Sequence, residues 1–143
     1  MTRQSSYLHP TGILETVLYA RDLAAAEAFY RSVLGLEPSA KLSGRHLFYR
    51  CGNQMLLIFN PDATRLPPSP GAPPVPAHGA RGEGHICFRA TADEIAAWRE
   101  RLKSLGLAIE ADFAWPGGGR SLYFRDPAGN SLEFAEAGIW GLA

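Results

Sequence analysis

Three side chains that can bind a divalent metal stand at comparable places in the two halves of this 143-residue sequence: Glu15, His85 and Glu133. One imidazole with two carboxylates suits Mn, Fe, Ni, Zn or Co, and oxygen-rich ligation favours Mn or Fe. Three protein ligands leave coordination positions open for water and substrate. A carboxylate in the middle of a buried strand is costly unless it is paired or liganded, which singles out the two glutamates.

Each of these residues also has an ordinary structural interpretation. Glu15 can be half-exposed or paired with an arginine, for which Arg50 and Arg125 are the candidates. His85 can be a hydrogen-bonded histidine of the core or of a strand edge. The coincidence of all three at matching positions of an internal repeat is what favours a shared metal site over three separate structural roles.

The repeat consists of two halves that both have the pattern strand, helix and three strands. In the first half, a strand predicted over 13–20 leads into a helix that Asp22 caps and Gly35 ends. The three strands that follow are predicted over 36–42, 46–50 and 54–59.

The second half repeats this order. A strand over 84–89 precedes a capping box, Thr91 with Glu94, that opens a helix to about Leu105. Strands over 108–114, 121–125 and 131–135 complete it. Matching Gly52 with Gly129 pairs Leu56 with Glu133, so the fourth strand of the first half lacks the carboxylate.

Between the halves lies a segment in which seven prolines predict neither a helix nor a central strand, over residues 60–83. Long loops in compact domains are usually functional lids or linkers. We therefore expect one domain over 1–143, with modules at 12–60 and 84–136 and a Pro-rich linker loop at 61–83. His78 in this loop is a lid residue or a solvated histidine.

Composition excludes several classes of protein. Lys+Arg 14 against Asp+Glu 14 gives a net charge of zero, which offers no electrostatic case for nucleic acid or for an anionic membrane surface. No apolar run approaches the ~20 residues of a membrane helix. Residues 1–11 are a polar leader without the features of a secretory signal. Cys51 and Cys87 are too few for a disulfide scaffold, so we expect structural cysteines and a cytoplasmic protein.

Two sets of motifs resemble the vicinal oxygen chelate superfamily, which includes glyoxalase I, extradiol dioxygenases, fosfomycin-resistance proteins, methylmalonyl-CoA epimerase and bleomycin-resistance proteins. The resemblance covers about residues 12 to 136. The motifs are Glu15-x6-Asp22-Leu23 with Ala28-Phe29-Tyr30-x3-Leu34-Gly35-Leu36 in the first half, and Gly84-His85 with Phe124-Arg125-Asp126-Pro127-x-Gly129-Asn130-x-Leu132-Glu133 in the second.

The resemblance implies an α+β fold in which two tandem βαβββ modules form a U-shaped, half-barrel sheet cleft around a divalent metal. Carried over by position, the ligands are Glu15, His85 and Glu133. Glu15 stands where the metal enzymes of the family usually have His or Gln. Leu56 stands where a typical glyoxalase I has the carboxylate that serves as ligand and proton shuttle, so true glyoxalase I activity is not expected.

The function implied is that of a metal-dependent isomerase, lyase or dioxygenase acting on a small substrate with two adjacent oxygens. Glu133 or Glu15 is the expected proton-moving base. The candidate substrate-binding residues are Arg120, which follows three glycines, and Trp115, Tyr123 and His46. Surface or packing roles remain open for each of these four.

Two rival functions remain. One is a metal-free, ligand-sequestering protein that resembles the bleomycin-resistance type, although a protein that captures a cationic drug is expected to be acidic and this chain is neutral. The other is a catalytically silent domain in which Glu15 pairs with an arginine. The resemblance also implies a homodimer, with the modules paired either within one chain or between two chains.

Overall fold

The computed structural model describes residues 8–143, so the first seven residues of the predicted leader lie outside the described residues. The described part of the chain forms β1 (Glu15–Tyr19), α1 (Leu23–Ser32), β2 (Ala40–Leu42), β3 (His46–Cys51), β4 (Gln54–Phe59), α2 (Pro61–Thr64), β5 (His85–Arg89), α3 (Ala92–Ser104), β6 (Ala111–Ala114), β7 (Arg120–Arg125), β8 (Ser131–Ala135) and a 3₁₀ turn (Ala137–Trp140). Within it, no helix is both long and apolar enough to cross a bilayer.

The strands form two four-stranded mixed sheets, one from each half of the chain. Their orders are β1-β4-β3-β2 and β5-β8-β7-β6, so the two sheets have the same topology. The parallel pairs are β1 with β4 and β5 with β8, and all other neighbouring strands are antiparallel. Neither sheet closes on itself. The predicted α+β fold with two tandem βαβββ modules is confirmed.

Both long helices begin where the sequence predicts. Asp22 accepts a hydrogen bond from the backbone N–H of Ala25 (3.0 Å) and caps α1. Thr91 and Glu94 form the reciprocal capping box of α3, with hydrogen bonds of 3.1 and 3.0 Å. These caps satisfy N–H groups that a helix leaves without partners, which fixes where each helix leaves its strand.

Alternation along the strands divides each sheet into a face that packs on the helices and a face turned away from them. We call the second one the open face. The helix-facing side chains of both modules join one buried cluster, which includes Leu18, Tyr30, Tyr49, Ile58, Ile95, Leu122, Phe124 and Leu132. The open face of the first sheet carries Glu15, Val17, Tyr19, His46, Phe48, Leu57 and Phe59, and that of the second carries His85, Cys87, Phe113, Ser121, Tyr123 and Glu133.

Asn130 joins the two modules. Its buried side chain accepts from the N–H of Gly84 (2.7 Å) and donates to the carbonyl of Tyr19 (3.1 Å) and to the carboxylate of Asp126 (3.0 Å). Asp126 in turn accepts from the Tyr30 hydroxyl (2.8 Å), and burial raises the pKa of that phenol far above its usual value. The Asp-Pro-x-Gly-Asn motif of the second half is thus a turn that also holds the first module.

The Pro-rich segment is not wholly irregular, and here the sequence-based prediction is wrong. Residues Pro61–Thr64 form a single helical turn, α2, which begins at a proline. A proline is tolerated at the first helical position because its missing N–H would have no intrahelical partner there. Asn60 caps the turn by accepting from the N–H of Asp62 (3.0 Å).

The register of the repeat also differs from the sequence match. Arg50 pairs with Met55 across the first hairpin, whereas Arg125 pairs with Ser131 across the second, whose turn is one residue longer. The structural equivalent of Glu133 is therefore Leu57, not Leu56. Leu56 faces the helices and is buried. The prediction that this position lacks a carboxylate holds, because both residues are leucines.

Candidate functional site

Two of the three predicted metal ligands meet on the open face of the second sheet. The Nε2 atom of His85 lies 3.3 Å from Oε1 of Glu133. The Glu133 side chain is only 6 % exposed, whereas that of His85 is 51 % exposed. Among the described residues, no lysine or arginine forms an ion pair with this buried carboxylate, so His85 is the basic side chain that faces it.

The hydrogen bonding of His85 defines what its free nitrogen can do. The Nδ1 atom lies 2.9 Å from the carbonyl oxygen of Ser131, which can only accept, so Nδ1 carries a proton. A neutral ring would then point the lone pair of Nε2 at a carboxylate oxygen, which is repulsive. Either a second proton on the ring or a cation beside both atoms removes that repulsion. Backbone anchoring of Nδ1 is also the usual arrangement of a metal-binding histidine.

A row of aromatic rings extends from this pair across the second sheet. Tyr123 lies nearly parallel to the ring of His85, with centroids 6.2 Å apart, and Phe113 is stacked on Tyr123 at 6.0 Å. Trp115 meets Phe113 edge-on at 4.8 Å and donates from Nε1 to the Ser121 hydroxyl (2.8 Å). Burial, followed by its contact with Glu133, raises the pKa of Tyr123. Of the predicted substrate-binding residues, Tyr123 thus lies beside the His85–Glu133 pair and Trp115 lies at the far end of the row.

Cys87 belongs to the same group, which sequence reasoning missed by treating the cysteine as structural. Cys87 and Glu133 are direct partners across the parallel pair of β5 and β8, so their side chains share a face. Burial and the neighbouring Glu133 carboxylate raise the pKa of the Cys87 thiol to about 12. The signal was available, because residues two apart on a strand, such as His85 and Cys87, point the same way.

Glu15 is not brought together with the other two predicted ligands. It lies exposed at the start of β1, beside Met55 in the sheet. Among residues 8–143, no group of three or more His, Cys, Asp or Glu side chains is arranged to hold a metal ion. The alternative partner Arg125 is also engaged elsewhere, with Glu110 (2.6 Å) and Glu83 (3.3 Å).

Arg120, a predicted substrate-binding residue, does not lie on the open face. Its guanidinium bonds Asp112 (2.9 Å) on the helix-facing side of β7, where Arg99 of α3 bonds the same carboxylate. Alternation places Arg120 and Ser121 on opposite faces, and the preceding glycines do not change this. Arg120 therefore serves to fasten α3 to the second sheet.

This pairing predicts acid sensitivity. Hydrogen bonds from Arg99 and Arg120 lower the pKa of Asp112 to about 2. Because the pKa of Asp112 is lower in the folded state, its ionised form stabilises the fold by about 2 kcal/mol. This stabilisation is complete above the pKa of the unfolded chain, near 4, and is lost as the pH falls toward 2. We expect Asp112→Asn to flatten the pH dependence of the unfolding free energy between pH ~5 and ~2. Urea denaturation across this range measures it. Asp93→Asn, at an exposed acid of α3, is the control, and equal slopes in both variants would contradict the prediction.

The remaining predicted substrate-binding residue, His46, lies on the open face of the first sheet. Its ring stacks on Phe48 (4.0 Å) and meets Phe59 edge-on (5.9 Å). His78 of the Pro-rich loop reaches the same face, where Nδ1 lies 2.7 Å from the Tyr19 hydroxyl and the ring packs edge-on against Phe59 at 4.8 Å. His78 therefore packs over the open face of the first sheet, as expected of a lid residue, and is not a solvated loop histidine.

Comparison with known proteins places this geometry in context. The sequence model described as Glyoxalase/Bleomycin resistance protein/Dioxygenase superfamily matches residues 12–134. Among curated proteins no significant match is found.

Solved structures extend this likeness. A lactoylglutathione lyase from Agrobacterium tumefaciens is 47% identical, with a TM-score of 0.87, over 94% of this chain and 100% of that one. The fold is shared with a glyoxalase/bleomycin resistance protein/dioxygenase from Nocardioides (22% identity, TM-score 0.70, 92% and 86% covered). It is also shared with a fosfomycin resistance protein from Listeria monocytogenes (23% identity, TM-score 0.65, 90% and 95% covered).

Proposed function

The chain belongs to the Glyoxalase/Bleomycin resistance protein/Dioxygenase superfamily, and on that premise we propose that it is a divalent-metal-dependent enzyme acting on a small substrate with two adjacent oxygen atoms. The observation that carries the proposal is the buried Glu133 carboxylate, whose Oε1 atom lies 3.3 Å from Nε2 of His85. Burying a carboxylate without a compensating cation is costly. A divalent ion held by His85 and Glu133 would compensate for that cost.

The donor set fits such an ion. His85 offers Nε2 with its other nitrogen held by the backbone, and Glu133 offers a carboxylate on a rigid central strand. Imidazole and carboxylate ligands suit Mn, Fe, Ni, Co or Zn. A cation bound there supplies Lewis-acid polarisation of the two substrate oxygens.

The protein's own side chains account for the rest of the proposed chemistry. Glu133, as the buried carboxylate, is the base that would take up and return a proton. The rings of Tyr123, Phe113 and Trp115 form a wall along which a small substrate would lie, and they keep water from that side of the site. The Ser121 hydroxyl, already holding Trp115, fixes the far end of this wall.

We propose Glu15 as the third ligand and a homodimer as the functional unit. Glu15 is exposed and separate from His85 and Glu133 in one chain, and Val17 beside it on the open face is 37% exposed. A second copy that covers this face could bring its own Glu15 to the His85–Glu133 pair. The two cysteines are both free, which supports a reducing, cytoplasmic location.

The relative with 47% identity makes lactoylglutathione lyase activity the first reaction to assay. Leu57 stands at the position equivalent to Glu133, so the first half supplies no second carboxylate there. We infer that proton transfer relies on the second half alone, which favours another isomerase, lyase or dioxygenase reaction of the superfamily over that of a true glyoxalase I.

The test is the metal content of untagged protein purified without chelator, followed by titration of the chelator-treated protein with Mn and Zn. We expect near-stoichiometric binding of a divalent metal and activity that returns with the metal. Absence of bound metal together with no binding on titration would contradict the proposal. The aromatic wall would then fit the rival function, a metal-free protein that sequesters ligands.

A further inference from the structure

We propose that the open face of the first sheet holds a second binding site, for the oxyanion of a small molecule, formed by Arg45, His46 and His78 around Phe59. The chemical class is a carboxylate or a phosphate. This site is separate from the His85–Glu133 pair and does not depend on a metal.

The three nitrogen-bearing groups surround one ring. The Cζ atom of Arg45 lies 5.6 Å from the centroid of Phe59, and the rings of His46 and His78 lie 5.9 and 4.8 Å from it, both edge-on. Phe48 stacks on His46 at 4.0 Å and meets Phe59 edge-on at 5.6 Å. The arrangement combines a positive charge and two imidazoles with an apolar surface.

The hydrogen bonds leave donors for a ligand. Arg45 donates from Nη1 to Nδ1 of His46 (2.8 Å), which places the proton of that ring on Nε2. Burial and the charge of Arg45 lower the pKa of His46, which agrees with a neutral ring. When the Tyr19 hydroxyl donates to Nδ1 of His78 (2.7 Å), that ring also keeps an N–H at Nε2.

Comparison of the two modules shows that this charge is not a by-product of the fold. Arg45 and Arg120 have equivalent backbone positions, because their carbonyls accept from Asn60 (2.8 Å) and Glu136 (3.2 Å) at matching places. Their side chains differ: that of Arg45, in the turn before β3, reaches His46 and Phe59, whereas that of Arg120 reaches the helix-facing side. Arg120 is neutralised by Asp112. Arg45 forms no ion pair with any acid among the described residues, and the equivalents of His46 and Phe59 are Ser121 and Ala135. Only the first module has the basic and aromatic group.

The Pro-rich loop holds His78 in place. The N–H of His78 donates to the carbonyl of Thr64 (3.0 Å) in α2. A side chain at the next residue, Gly79, would come within 3.2 Å of the Pro61 carbonyl oxygen, so the loop lies closely against α2 there. The loop thus delivers an imidazole that has no counterpart in the second module.

The test uses full-length, chelator-treated protein at constant ionic strength, titrated with benzoate, acetate and inorganic phosphate by calorimetry. We expect saturable binding of at least one of them, and Arg45→Gln should weaken it by about tenfold or more, since a charge-assisted hydrogen bond is lost. Arg50→Gln is the matched control, because Arg50 lies on the same strand and the same face, four residues beyond His46. Its loss should change affinity by less than about twofold.

The probes separate the two sources of oxyanion. Tighter binding of benzoate than of acetate or phosphate identifies an aromatic acid, and preference for phosphate identifies a phosphorylated ligand. Failure of all three probes to bind, or equal weakening by Arg45→Gln and Arg50→Gln, would overturn the proposal. Neither result bears on the metal site, because the titrations of the chelator-treated protein with Mn and Zn are measured separately.

Discussion

Replacing Glu133 with glutamine is expected to lower the affinity for Mn or Zn by about 100-fold or more, since even losses outside the direct ligands cost 10–100-fold. The amide has nearly the volume of the buried carboxylate but not its charge, so the sheet keeps its packing while the cation loses its anionic partner. Equilibrium titration with the metal and thermal unfolding without it measure the two effects separately.

Glu100→Gln is the matched control, because Glu100 is an exposed acid on α3, away from the open faces. This variant should bind metal as the unmodified protein does. If Glu133→Gln also retains full affinity, the metal site assigned to His85 and Glu133 is wrong.

The origin of the third ligand can be tested with the same variant. Suppose that each site is built across two chains and that Glu15→Gln and Glu133→Gln chains are co-expressed. In each mixed dimer, one site then combines the intact Glu133 of one chain with the intact Glu15 of the other, and the second site lacks both. About a quarter of the full binding capacity then returns, provided that the chains assort at random. A site built within one chain stays broken in every chain, and no capacity returns. If no binding capacity returned, the proposal that Glu15 comes from the second chain would be wrong.

Replacing Asn130 with alanine is expected to lower the unfolding free energy by about 3 kcal/mol. The side chain is 1% exposed and makes hydrogen bonds to Gly84, Tyr19 and Asp126. Its removal leaves buried polar groups of both modules without partners. Urea denaturation gives the difference in unfolding free energy.

Asn53→Ala provides the comparison, because Asn53 occupies the corresponding hairpin of the first module but is exposed there. Its loss should cost less than about 0.5 kcal/mol. A similar loss of stability in both variants would show that the junction of the modules does not depend on Asn130.

The elements of the fold were predictable because their determinants are local. The cap at Asp22, the capping box at Thr91 and the alternation of the strands all act within a few residues along the chain. The His85–Glu133 pair could also be anticipated, since two neighbouring parallel strands carry it, with His85 at the start of β5 and Glu133 at the middle of β8.

Other features depend on how strands and loops pair in the folded chain and could not be read from the sequence. The single additional residue in the second hairpin shifts the repeat, so Leu57 replaces Leu56 as the equivalent of Glu133. The three glycines before Arg120 suggest a residue that is free to reach a substrate, but its bond to Asp112, which Arg99 shares, holds it on the other side of the sheet. The position of His78 depends on how an irregular loop returns to Thr64.

The unlike character of the two open faces has a consequence for the direction in which a ligand binds. A site with true twofold symmetry would accept a ligand in two opposite directions with equal energy. Here one face carries the His85–Glu133 pair and the other carries Arg45 beside Phe59. A ligand that contacted both faces would therefore bind in one direction, with a defined end at Glu133. Divergence of the two halves thus fixes the direction of binding, which identical halves could not do.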